Sequence, residues 1–176
     1  LSLVGSEMCI RDSICGRRKS VLDDTVNEII DSGGKAKAHA CDIRVSEAIN
    51  DMIDEIWSDG GALTGLVNNA AGNFISPTKD LTPKGFEAIS NIVFRGSFYI
   101  THACGTRWIK EDVRASVISI LTTWIWNGGP YTVPSAMSKA GVNVMTKSLA
   151  AEWGKYGIRL NACLLYTSDA ADDSGC

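Results

Sequence analysis

Ser135 and Lys139 stand one helical turn apart in the segment VPSAMSKAGVNVMTKSLAAEW. A lysine there can hold ribose hydroxyls and, as a cation, lower the pKa of a nearby acid. It can equally be a solvated helix residue. Trp124, Trp126 and Tyr131 lie just upstream. An indole N–H donates a hydrogen bond but is no acid at physiological pH. Trp124 can therefore stabilise a developing oxyanion as one hydrogen-bond donor, or serve as a core aromatic at a strand end. Tyr131 offers a phenol as a second candidate acid, or a ring that packs a loop.

Other polar groups recur at intervals. Arg17 and Arg18 can grip a phosphate through charge-assisted hydrogen bonds, or simply open a solvated helix. A dinucleotide site that selects the unphosphorylated cofactor usually places an acid here for the ribose hydroxyls. Gly16 stands in that place, which favours a 2'-phosphate cofactor. Asp42 can accept a hydrogen bond from an adenine amino group or cap a turn. Asn68 and Asn69 are followed by Ala70, Ala71 and Gly72, small residues that let a flat ring approach the backbone. Asn73 adds an amide donor and Phe74 an aromatic wall.

These groups must be positioned by regular elements. Residues 20–32 carry Leu22, Val26, Ile29 and Ile30 at helical spacing, stopped by Gly33 and Gly34. KAKAHACDI alternates like a strand. Ser46 stands where it can cap a helix with the stripe Ile49, Met52, Ile53, Ile56 and Trp57. LTGLVNNAA reads as a buried strand, residues 83–112 as a long helical segment interrupted near Gly96, ASVISILTT as a strand, residues 135–153 as a helix, and IRLNA as a last strand. Strands alternating with helices predict a doubly wound α/β fold, a parallel sheet with helices on both faces. The polar groups GRR, CDIR, NNAAGNF and TTWIWNGG each fall at a strand's carboxyl end, where such sheets bind ligands.

Composition narrows the field. The 176 residues are 45% hydrophobic and 21% charged with a net charge of -3, the balance of an ordinary globular domain. Charges are scattered, so there is no footprint for nucleic acid and no basic helix for a membrane surface. The six cysteines form no Cys-x-x-Cys pair, and His39 and His102 have no ligand-like neighbour, which predicts no metal and free thiols in a cytoplasmic setting.

GRR, CDIR, NNAAG, SVISI, SxxxK and IRLNA, in this order, resemble the short-chain dehydrogenase/reductase family from its second strand to its sixth. NNAAGNFISPT and VPSAMSKAGVNVMTKSLAAEWGKYGIRLN are most similar to its 2,4-dienoyl-CoA reductase branch. The resemblance implies that Arg17 and Arg18 bind the 2'-phosphate of NADPH and Asp42 its adenine. Asn68 and the backbone of Ala70, Ala71 and Gly72 would line the cofactor, and Lys139 would hold the nicotinamide ribose. Arg44, Phe74 and Thr82 would touch an acyl-CoA substrate, with Asn73 and Ser135 near its thioester. The family reaction passes hydride to the conjugated diene, and the intact family member is expected to be a homotetramer.

The pattern also breaks. Most of the family has tyrosine four residues before the lysine, where this chain has Ser135, a departure shared with the dienoyl-CoA branch. That branch uses either a tyrosine fifteen residues before the lysine or an aspartate three before the helical glycine. Here Trp124 and Val93 occupy those places. The family's first strand and glycine-rich loop are absent, as is its carboxyl-terminal part. Residues 1–13 and 163–176 read as translated adapter sequence flanking a truncated reductase domain at 14–162. The expectation is a fragment of a reductase, itself inactive. A carbonyl or alcohol oxidoreductase of the same family and a catalytically dead nucleotide-binding or scaffold homologue are the alternatives.

Overall fold

The computed structural model describes residues 11–165. Strand β1 (Asp12–Gly16) leads through helix α1 (Lys19–Asp31) to β2 (Ala36–Ala40). Helix α2 (Ser46–Gly60) follows, then β3 (Gly65–Asn68). The interrupted helical segment is α3 (Pro83–Ser90), a π-turn (Asn91–Gly96) and α4 (Ser97–Glu111). Strand β4 (Ala115–Thr122), the short α5 (Trp124–Asn127), α6 (Val133–Trp153) and β5 (Ile158–Leu165) complete the order. The alternation is the expected α/β one, and every strand pairing is parallel.

The sheet is in two pieces. β1 pairs with β2 from Asp12 opposite Ala36 to Gly16 opposite Ala40. β4 lies between β3 and β5, with Gly65 opposite Ser116 and Ala115 opposite Ile158. Right-handed crossovers put α1 on one face and α2, α4 and α6 on the other. The main core is on the three-helix side. Ile49, Met52, Ile53 and Ile56 of α2 meet Ile100, Cys104 and Trp108 of α4, Val117 of β4 and Ile158 and Leu160 of β5. The Trp108 indole N–H donates to the Leu63 carbonyl at 2.8 Å, which satisfies the one polar atom of a fully buried ring. Gly105 is needed where Trp153 crosses α4: a Cβ there would sit 2.2 Å from the indole.

The two sheet pieces are joined through helices. Arg107 of α4 pairs with Asp54 of α2 and lies 4.8 Å over the Trp57 ring, and the Trp57 indole N–H donates to Glu111 at 2.8 Å.

Details of the ends differ from the sequence reading. Ser46 is the first residue of α2 rather than its cap; Val45 takes the cap position with no side-chain bond. β1 begins at Asp12 and β5 runs to Leu165, paired with Thr122, so both strands extend into the flanks read as foreign. Backbone pairing at a strand end asks little of side-chain identity. Ile30, counted in the α1 stripe, is 51% exposed, while Leu22 is buried and packs toward Gly16. Among the described residues no helix is long and apolar enough to cross a membrane.

Candidate functional site

The predicted side chains gather at the carboxyl ends of the strands in two groups. The first belongs to β1 and β2. Arg17 and Arg18 fill the turn between β1 and α1, both exposed. Asp42 and Arg44 follow β2. The Arg44 guanidinium donates to the Asp42 carboxylate through Nε at 2.9 Å and Nη2 at 2.5 Å, and the Arg44 backbone N–H adds a bond at 3.1 Å. These bonds, with the nearby Arg17 charge, hold the Asp42 carboxyl down at about 2. Asp42 is thus a fixed anion, and Arg44 is committed to it.

The second group surrounds α6. Lys139 is buried, and its Nζ donates to the Ile120 carbonyl of β4 at 2.5 Å. Burial pushes its pKa below the ordinary lysine value. Ser135, one turn earlier on the same helix face, is also buried. Trp124 opens α5 half-buried, and its ring lies so close to Gly129 that a Cβ there would fall 2.9 Å from its Cδ1. Tyr131 is exposed with a left-handed φ of 66°, and its carbonyl accepts the Ser76 N–H at 3.2 Å. That bond ties the loop before α6 to the loop after β3.

The β3 loop carries Ala70, Ala71 and Asn73 exposed and Gly72 half-buried. Phe74 rests against the start of α3, its ring tip 3.1 Å from the place of a Gly85 Cβ. The Thr82 hydroxyl accepts the Gly85 N–H at 3.1 Å and so caps α3, with Pro83 in the first turn. The Asn68 side chain faces inward: its amide donates to Thr101 at 2.8 Å and to Ser119 at 3.3 Å. Thr146 of α6 closes this chain with a 3.5 Å contact to Ser119.

Sequence reasoning missed Thr101, Ser119 and Thr146. Their signal was the polar residue at a buried position of its element, most visibly Ser119 within ASVISI. Buried hydroxyls require partners: Asn68 serves Thr101 and Ser119, and Ser119 serves Thr146. The π-turn was anticipated only as an interruption; such turns often mark functional sites. Val93 within it is fully buried, and Gly96 leaves room for Ile43, since a Cβ would lie 2.7 Å from that side chain. No cluster of three or more metal-ligating side chains occurs among the described residues.

A parallel α/β sheet with polar loops at its carboxyl ends and a buried Ser-x-x-x-Lys on the following helix has the layout of a dinucleotide-binding fold. The chain belongs to the short-chain dehydrogenase/reductase family, matching the family described as Enoyl-(Acyl carrier protein) reductase over residues 13–171. It is 41% identical over 150 residues to the probable 2,4-dienoyl-CoA reductase [(2E)-enoyl-CoA-producing] of Bacillus subtilis (strain 168), covering 85% of this chain and 59% of that one. It is 43% identical over 152 residues to the probable 2,4-dienoyl-CoA reductase 3 of Caenorhabditis elegans, covering 85% and 49%. A crystal structure of a short chain dehydrogenase from Bacillus anthracis superposes with a TM-score of 0.82 at 42% identity, over 85% of this chain and 61% of that one. The chain thus spans about half to three-fifths of the length of these relatives.

Proposed function

We propose that the protein to which these residues belong is an NADPH-dependent reductase of unsaturated acyl-CoA thioesters. The observation that carries the reading is the buried Ser135–Lys139 pair at the end of β4, with serine where carbonyl reduction calls for a tyrosine acid. Relatives named as 2,4-dienoyl-CoA reductases support the same reading.

The residues present fit a 2'-phosphorylated dinucleotide. Arg17 and Arg18 offer two exposed guanidiniums beside Gly16, where no carboxylate repels a phosphate. Asp42, kept anionic by Arg44, would accept from an adenine amino group. The Ala70, Ala71 and Gly72 backbone would lie against the cofactor. Lys139, with one proton given to Ile120, keeps two more donors for ribose hydroxyls. When bound, the reduced nicotinamide supplies hydride.

The chain's own residues would then orient the acyl group and receive charge at the thioester oxygen. Asn73 and Ser135 are the polar candidates there, and Phe74, Thr82 and Arg44 would touch the acyl-CoA. Trp124 replaces the expected acid and would donate its indole N–H to the oxygen while water supplies the proton. Tyr131 is the second candidate acid in the same loop. The family's tetrameric assembly and a site of action inside the cell belong to this same proposal.

The test follows NADPH consumption by the full-length protein with 2,4-dienoyl-CoA and with simple ketones. Turnover of the thioester alone supports the reading, and turnover of ketones alone would assign a carbonyl oxidoreductase. NADPH binding without either turnover favours a homologue that has lost catalysis. A specific observation lends weight to that last reading: fully buried Val93 and half-buried Trp124 occupy both expected donor positions.

A further inference from the structure

Four charges meet at one end of the β1–β2 pair. Gly16 and Ala40 end the two strands and lie opposite each other. The Cys41 N–H donates to the Gly16 carbonyl at 2.9 Å, so the pairing holds up to the start of both turns. Arg17 and Arg18 follow the first strand, and Asp42 and Arg44 follow the second. Arg17 is close enough for its charge to act on the Asp42 carboxyl.

An anion at that range decides whether a guanidinium is available to a ligand. An arginine paired with a carboxylate has its donors filled and its charge offset, so it attracts a phosphate less. The carboxylate would also repel the phosphate directly. Here the Asp42 carboxylate is taken by a different arginine. Arg44 Nε donates to both its oxygens at 2.9 and 3.0 Å, Nη2 donates to Oδ2 at 2.5 Å, and the Arg44 main-chain N–H donates to Oδ1 at 3.1 Å. Asp23, in the early part of α1, is matched in the same way by Lys19 at 2.7 Å. Among the described residues the Arg17 and Arg18 side chains make no hydrogen bond or ion pair, and both are exposed. The carboxylates nearby are neutralised by other cations, and the arginine pair is left open.

We propose that Arg44 is a specificity-determining residue for the phosphorylated cofactor, acting through Asp42. It neutralises that carboxylate and so keeps Arg17 free for the 2'-phosphate. One strand end thereby meets two opposite needs: an anion for the adenine amino group, and no net negative field beside the phosphate. The proposal rests on the NADPH reading above and adds a residue that sets cofactor choice without touching the phosphate.

The test measures NADPH and NADH dissociation constants of the full-length protein at low ionic strength, where exposed charges are least screened. Three forms are compared: the wild type, Arg44→Gln, and the Arg44→Gln, Asp42→Asn double variant. Arg44→Gln should lower the preference for NADPH over NADH by about fivefold or more, the bulk-water limit for two unit charges about 4 Å apart. The double variant has the wild-type net charge over the four groups and should recover the preference. A change at the adenine acts on both cofactors alike and leaves their ratio untouched. Unfolding removes both affinities together, so it cannot imitate this pattern. In a wild type that prefers NADPH, an unchanged preference in Arg44→Gln would overturn the proposal. A double variant as poor as Arg44→Gln would also overturn it, by making Arg44 itself the phosphate ligand. A wild type that binds both cofactors equally would overturn the NADPH reading, and this assignment with it.

Discussion

The β3–β4–β5 half of the molecule and the β1–β2 half carry their functional residues in opposite ways. In the first, Lys139 and Ser135 are buried beside the Asn68–Thr101–Ser119–Thr146 chain of hydrogen bonds. In the second, Arg17 and Arg18 stand in solvent, and the fixed groups are Asp42 and Arg44, which hold each other. Burial fixes geometry, which a reacting centre needs; exposure leaves long side chains free to close on a phosphate. The halves meet through α2 and α4 rather than through the sheet, so the distance between the two groups depends on helix packing.

That dependence is open to a direct break. Trp108→Ala empties the centre of the α2–α4 contact and orphans the Leu63 carbonyl. It should cost about 3–5 kcal/mol of stability in the full-length protein, read as a lowered urea midpoint. A loss under about 1 kcal/mol would mean the halves are held together elsewhere. Lys139→Ala tests the buried half alone. Turnover should fall by about a hundredfold or more, with the urea midpoint little changed because burying the ammonium was itself costly. Equal loss of turnover and of folding would make Lys139 a structural residue.

The buried thiols sharpen the contrast in pH dependence. Burial raises Cys41 to about 11 and Cys104 to about 12, against about 8.5 for a free thiol. Below about 8.5 both states keep these protons and stability is unaffected. Above it the unfolded chain loses them first, so stability falls as pH rises toward the folded values. Lys139 acts in the opposite sense, since its folded pKa is lowered and stability rises toward the unfolded value. The Cys41→Ala, Cys104→Ala double variant should therefore shrink the alkaline fall in the urea midpoint between pH 8 and 10, leaving the smaller part due to Cys15, whose thiol burial also raises. An unchanged fall would assign it to other groups.

The same contrast explains what could be read in advance. Helices and strands of the core announced themselves by apolar period, because each buries one face: Ile49, Met52, Ile53 and Ile56 were named as a stripe and are buried together. The groups at strand ends were legible for the same reason, as polar residues following buried runs. What stayed hidden was pairing between distant segments. Nothing local marks Thr101 and Ser119 as partners of Asn68, or Thr146 as a partner of Ser119. Thr82 is a different case: a threonine before proline at a helix start carries a cap signature, and the structure uses it so. Ser46 misled because a serine one place inside a helix reads like a cap.

The division of labour between the halves is tested most directly by the NADPH and NADH dissociation constants of the full-length protein and its Arg17→Ala, Arg18→Ala variant. Charge-assisted bonds to a phosphate contribute about 1.5–3 kcal/mol each. The variant should therefore lose at least tenfold in NADPH affinity, keep its NADH affinity, and retain the turnover reached at saturating NADPH. Equal weakening of both cofactors, or an unchanged preference for NADPH, would contradict the assignment of the phosphate end to β1 and β2.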